Sequence, residues 1–313
     1  MYFQKYLLNL ETMFGGLIMK LALLSGGSGK RLWPLSNDTR SKQFLKVLEG
    51  SDSLKQSMVQ RVWGQLESVG LSESSIIATS KMQRDMIHNH LGMDIPLIIE
   101  PERRDTFPAI VLVTSYLYSV QNVSEDEVIV VLPVDPFVDD SFFNKVKELE
   151  SVLIESGAEI ALMGVKPTYP TSKYGYIVPK LNIQGHKYYS VNHFIEKPSE
   201  EQAQSLIEMN AMWNCGVFAF KLKYLLDILD DKNLPLDYKL LSEHYSTLPK
   251  ISFDYEVVEK AKDIVVLPYD GYWKDLGTWN TLTEEMSTKQ IGKGVIDETS
   301  SNTHLINELD IPV

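Results

Sequence analysis

Short apolar runs alternate along this chain with longer stretches of mixed character. Leu21-Ala22-Leu23-Leu24 and 128–132 contain no polar residue, and 76–79, 97–100 and 160–165 come close to that pattern. Runs of this kind read as strands buried on both faces, as in a parallel sheet covered by helices. Between them, 52–67 carries Leu54, Met58, Val62 and Leu66 at a spacing of four, which predicts a helix capped by Asp52 or Ser53. Helices are likewise expected over 82–91 and 141–156, in a segment ending near Lys262, and through Tyr118 after an apolar opening. Strands at 191–198 and 264–267 complete the alternation, which predicts a doubly wound, mostly parallel α/β sheet.

With 313 residues and 44% hydrophobic content, the chain can bury a full α/β core. No apolar run approaches the ~20 residues of a membrane span. A net charge of -12 argues against nucleic acid or an anionic membrane as the main partner. Cys215 is the single cysteine, so no intrachain disulfide can form and a reducing cytoplasm is the natural setting. The six histidines show no metal-ligand spacing. The expected organisation is an N-terminal extension at 1–18, a main domain at 19–285, and the start of a small C-terminal β segment at 286–313. For the extension an upstream start or a tag remnant is favoured, with an amphipathic surface helix as the alternative.

Against the acidic balance, the stretch from Lys30 to Lys46 is cationic: Lys30, Arg31, Arg40, Lys42 and Lys46 face a single acid, Asp38. It follows a turn with Gly26, Gly27 and Gly29, whose small residues leave backbone N–H groups exposed to phosphates. A dinucleotide fingerprint would need glycine where Leu32 stands, and a P-loop would need Ser or Thr where Arg31 stands. Asp135 follows the apolar strand at its carboxyl end, where open α/β sheets place ligands, so its carboxylate can hold Mg²⁺. A turn-forming role is the alternative, because Asp139 and Asp140 follow closely.

The segment from Leu21 to Ser36, continued by Ser41-Lys42-Gln43-Phe44-Leu45, resembles the GGxGxRLWPLS and PKQFL signature of sugar-1-phosphate nucleotidylyltransferases, and within them the mannose-1-phosphate guanylyltransferases. Ser41 replaces the family's proline, and loss of that fixed φ is expected to leave the loop less preorganised. Further matches follow in order. The stretch from Glu100 to Ile110 resembles EPxxRNTAPAI, with Asp105 and Phe107 as departures. Val134-Asp135-Pro136 stands where the family reads SDH. Tyr174-Gly175-Tyr176-Ile177 resembles GYGYI, with Lys173 at its first glycine, and Glu196-Lys197-Pro198 ends a strand. Trp213-Asn214-Cys215-Gly216 resembles WNSG, and Trp273-Lys274-Asp275-Leu276-Gly277 resembles WxDLG.

The resemblance implies a Rossmann-like nucleotide-diphospho-sugar transferase fold and a cytoplasmic enzyme that makes a nucleotide sugar, most simply GDP-mannose, from GTP and a hexose 1-phosphate. Arg31, Lys42, Asp135 and Asp275 are then the candidate catalytic residues, with Mg²⁺ on Asp135 and Asp275. Gly26, Gly27, Gly29, Lys30, Arg31, Arg104 and Thr106 would bind nucleotide. Tyr174, Gly175, Glu196, Lys197 and Asn214 would bind the sugar phosphate. A homodimer is the candidate assembly. The same residues leave open a different base or sugar, or a non-catalytic subunit that senses nucleotide sugars.

Overall fold

A computed structural model of the protein describes residues 19–27, 30–50, 54–180 and 187–313. The extension 1–18, the capping candidates Asp52 and Ser53, and Gly29 lie outside the described residues. In chain order the strands are β1 (Lys20–Leu24), β2 (Leu48–Glu49), β3 (Lys55–Gln56), β4 (Ser75–Ser80), β5 (Leu97–Glu100), β6 (Val128–Pro133), β7 (Pro136–Val138) and β8 (Ile160–Val165). They continue with β9 (Tyr176–Pro179), β10 (Tyr189–Ile195), β11 (Met212–Lys221), β12 (Ile264–Tyr269), β13 (Trp273–Asp275), β14 (Gln290–Ile291) and β15 (Leu305–Ile306). The chain divides into two compact units. One contains Arg104–Leu132 and Asn144–Tyr269, and the other contains Leu23–Arg103, Pro133–Phe143 and Asp270–Val313.

In the first unit the strand order is β6-β11-β8-β12-β10-β9. Only β8 and β12 run parallel there, with Leu162 beside Val266. β11 runs against β6 and β8, and β10 runs against β12 and β9. The architecture is α/β as expected, but the sheet is mixed rather than mostly parallel. Apolar runs report burial on both faces and carry no information on direction, which β11 sets by opposing both of its neighbours. The helix Thr106–Ser119 buries ten of its residues and packs against the helices Leu222–Asp231 and Tyr238–Glu243. A helix apolar all round has to be enclosed in this way.

In the second unit β4 and β5 are parallel, with Ile77 beside Leu97. Ser25 N–H, just past β1, donates to Ala78 O at 2.8 Å. The helix expected over 52–67 begins instead at Met58, because Ser57 and Gln60 form a reciprocal capping box. Lys55 and Gln56 pair with Glu49 and Leu48, and Leu54 is exposed, so the four-residue spacing had claimed one position that belongs to a turn. β7 and β13 pair antiparallel, placing Trp273 opposite Val138 and Asp275 opposite Pro136.

Beneath these strands lies one apolar cluster: Leu32, Leu45, Val47, Leu48, Met58, Leu276 and Leu282. Leu32 follows Arg31, Leu45 follows the Lys42 turn, and Leu276 follows Asp275, so each charged position is anchored by a buried neighbour. Truncating such a side chain costs its transfer free energy plus a cavity, about 2–5 kcal/mol. Leu276→Ala is therefore expected to lower the urea unfolding free energy by about that amount, and an unchanged midpoint would show that the cluster does not anchor Asp275.

Candidate active site

The second unit assembles its charged site from three separate stretches of chain. Lys42 opens a 3-10 turn, Lys42–Phe44, directly after Ser41. Asp135 lies between β6 and β7, and Asp275 ends β13 opposite Pro136. The strand pairing therefore brings Asp275 to the position beside Asp135. Lys42 Nζ sits 3.0 Å from Asp135 Oδ2 and 2.6 Å from Asp275 Oδ1. Burial works against the Lys42 charge, but the two carboxylates outweigh it and raise its pKa above the ordinary lysine range.

A cavity of about 260 Å³ opens at this site, lined by Gly27, Lys30, Arg31, Lys42, Asp135 and Gly277 among others. Gly27, the three cations Lys30, Arg31 and Lys42, and Asp135 thus share one concavity. Gly26 lies against Glu100, where a Cβ would come within 2.8 Å of Oε1. Lys30 Nζ is 3.5 Å from Asp38 Oδ2, and Asp38 Oδ1 also accepts from Arg103 Nη1 at 2.9 Å. Ser41 corrects the expectation of a looser loop. Its φ of -71° is one that proline would impose, and its hydroxyl donates to Gly27 O at 2.7 Å. Hydrogen bonding supplies the order that the missing ring would have given.

Two carboxylates with their oxygens around one ammonium fit a hard cation that keeps several waters and takes the rest of its ligands from phosphates, as Mg²⁺ does. Among the described residues no cluster of three or more His, Cys, Asp or Glu side chains forms a complete protein cage.

The first unit gathers all five expected sugar-side residues. Glu196 Oε1 and Lys197 Nζ are 2.6 Å apart, and the Lys197 ammonium lies 5.9 Å from the centre of the Tyr255 ring. Lys197 adopts a φ of +47°, a conformation costing a non-glycine residue about 1–3 kcal/mol and held by its surroundings. A Cβ on Gly175 would stand 2.5 Å from Glu196 Oε2, so only glycine lets that carboxylate in. Asn214 N–H donates to Gly175 O at 2.8 Å, and Tyr174 packs on Trp213 with ring centres 4.9 Å apart.

Two residues that sequence reasoning did not select complete the local geometry. Asp254 Oδ1 accepts from Asn214 Nδ2 at 2.8 Å, while Asn214 Oδ1 accepts from Gly216 N at 3.0 Å. Gly216, at φ +77°, lies where the β11–β8 register shifts, and its left-handed backbone favours glycine. The Asn214 amide is thereby oriented, with one N–H and one lone pair left for a hydroxyl. Glu259 accepts from the Glu196 N–H at 2.9 Å. The signal for Asp254 in the sequence is slight, an acid after the Ser252 cap of a short helix, Phe253–Glu256.

Arg104 and Thr106, expected on the nucleotide, belong to this first unit rather than to the unit with the glycine turn. Arg104 Nη1 donates to Leu248 O at 2.7 Å, and Thr106 Oγ1 accepts from Phe253 N at 2.8 Å. Thr106 therefore braces the segment that carries Asp254.

The chain belongs to the nucleotidyl transferase family, whose model matches residues 20–290. It is 30% identical to a mannose-1-phosphate guanylyltransferase of Escherichia coli over 91% of this chain and 66% of that protein. It is 28% identical to one from Sinorhizobium fredii over 91% of this chain and 59% of that protein. The chain thus spans somewhat under two thirds of the length of these relatives. A solved structure from Thermus thermophilus, described as a mannose-1-phosphate geranyltransferase, superposes with a TM-score of 0.75 at 28% identity, covering 94% of this chain and 90% of the other. No helix among the described residues is long and apolar enough to cross a membrane.

Burial, followed by the nearby Glu196 charge, pushes the Asp254 carboxyl up to about 7 from its ordinary 3.8. Between those values the folded protein holds a proton that the unfolded chain has released. Its contribution to stability is therefore present at low pH and is lost as pH rises toward about 7. Asp254→Asn cannot ionise and should lose that part of the slope, gaining on wild type between pH 5 and pH 8 in paired urea melts. Parallel profiles for the two proteins would refute the assignment.

Proposed function

We propose that the protein transfers a guanylyl group from GTP to mannose 1-phosphate, forming GDP-mannose and pyrophosphate. The observation that carries this reading is the Lys42 ammonium between Asp135 and Asp275, with Lys42 and Asp135 lining a cavity shared with Arg31 and Gly27. Family membership supports nucleotidyl transfer, and the relatives named above support the choice of guanine and mannose.

In this reaction a phosphate oxygen of the hexose 1-phosphate attacks the α-phosphorus of the triphosphate. The new P–O bond forms as the bond to pyrophosphate breaks on the opposite side. The attacking oxygen is already anionic, so the protein needs no strong base, and its work is positioning and charge neutralisation. The Gly26-Gly27 turn would let the nucleotide approach the backbone. Arg31, with its planar fork, and Lys42, as a point charge, would bear on the triphosphate oxygens. Asp135 and Asp275 would hold Mg²⁺, which when bound supplies further neutralisation of phosphate charge. Lys197 would anchor the sugar phosphate, while Glu196 and the oriented Asn214 amide would meet sugar hydroxyls.

Pyrophosphate release from a matrix of triphosphates and sugar 1-phosphates tests the proposal directly. GTP with mannose 1-phosphate should give the highest kcat/KM, and a clear preference for another pair would overturn the base or sugar assignment. Arg31→Ala should lower turnover ~100-fold or more while the melting temperature stays within a few degrees. Retention of most activity would remove Arg31 from the machinery. Lys197→Ala should mainly raise the KM for the sugar phosphate, and an unaltered KM would count against that anchor.

A further inference from the structure

A closed ring of hydrogen bonds lies behind the glycine turn, with a residue at its centre to which no role has yet been given. Gln83 immediately precedes the helix Arg84–Leu91, just past β4, makes no side-chain capping bond to it, and is fully buried. Its Nε2 donates to Gly27 O at 3.0 Å and also to Ser41 Oγ. Ser41 Oγ in turn donates to the same Gly27 carbonyl at 2.7 Å. The accounting closes: both Nε2 hydrogens are used, the serine hydroxyl donates once and accepts once, and both lone pairs of the Gly27 oxygen are filled. On its other side Gln83 Oε1 accepts from Gln43 Nε2 at 3.4 Å, and Gln43 Nε2 reaches Ser25 O and Oγ at 3.2 Å each. Ser25, Ser41, Gln43 and Gln83 are all buried, so water cannot substitute for a lost partner.

Ser41 and Gln43 are the two chain neighbours of Lys42, and Gly27 lines the same cavity as Lys42. One amide therefore fixes the glycine turn and, through both flanking residues, the backbone that carries the lysine. We propose that Gln83 is a positioning residue for the triphosphate site, setting the separation between the glycine turn and Lys42 and keeping the Gly27 carbonyl turned away from incoming phosphate. Without it, that carbonyl keeps only the Ser41 hydroxyl as donor and is held less firmly against rotation toward the anion it would repel. The inference rests on the nucleotidyl-transfer reading and assigns Gln83 to the triphosphate half of the reaction alone.

The test compares wild type with Gln83→Met, which keeps the length and loses the amide, and with Ser41→Ala, which removes one edge of the ring. Binding of Mg²⁺–GTP is measured by calorimetry, and pyrophosphate release gives both KM values. Gln83→Met should weaken GTP binding at least tenfold and lower kcat, with the KM for the sugar 1-phosphate within twofold of wild type. Ser41→Ala should weaken GTP binding less, and the double variant should be no worse than Gln83→Met, since both act through one carbonyl. A folded Gln83→Met protein with wild-type GTP affinity would overturn the inference, as would equal rises in both KM values. If Gln83→Met does not fold, unchanged GTP affinity in Ser41→Ala would overturn it and a weakened one would support it. A wild-type protein that binds no triphosphate would instead sink the functional reading on which the inference rests.

Discussion

An ammonium held between two carboxylates is the interaction on which the second unit depends. Asp135 and Asp275 are brought side by side by the pairing of β7 with β13, which concentrates negative charge at one point of the unit. Lys42 supplies the opposing charge, at 3.0 and 2.6 Å. The glycine turn, the 3-10 turn of Lys42 and the apolar cluster under Leu32, Leu45 and Leu276 then hold the charges in place. Polar geometry here is set by apolar packing one residue away, because buried leucines fix a backbone more firmly than solvated charges can.

The two units carry different chemistry. In the second, cations and backbone gather around a cavity suited to a polyanion. In the first, Glu196 pairs with Lys197 and Asn214 with Asp254, a set of acceptors and donors around one cation. Burial raises the pKa of both Asp254 and Glu196, while Lys197 pulls the latter back. A polar cluster that costs this much to bury is a poor stabiliser, which is the usual mark of a site retained for what it binds.

Much of this was legible in the sequence because it depends on local pattern. The apolar run ending at Pro133, the helix Ser141–Ser156 and the strand Ile160–Val165 lie where periodicity puts them. The cationic stretch from Lys30 to Lys46 and Asp135 at a strand end were visible for the same reason. Direction was not legible: β11 is buried on both faces, and only tertiary pairing makes it antiparallel to β6 and β8. The start of the helix at Met58 was lost to a capping box that competes with the spacing of Leu54. Gln83 and Asp254 left no pattern, since each matters through one long-range hydrogen bond, to Gly27 and to Asn214, and neither residue type announces such a bond.

The second unit is discontinuous, and that has a consequence for its birth. Lys42 and Asp275 are 233 positions apart, and nearly all of the first unit is encoded between them. A chain leaving the ribosome at ~5–20 residues per second therefore completes Asn144–Tyr269 while Leu32 and Leu45 still lack Leu276 and Leu282 as partners. Through that interval the nascent polypeptide has one carboxylate for its buried lysine and an uncovered apolar patch, the kind of surface that chaperones engage. Vectorial synthesis thus delays assembly of the charged centre until the last translated stretch of the unit docks.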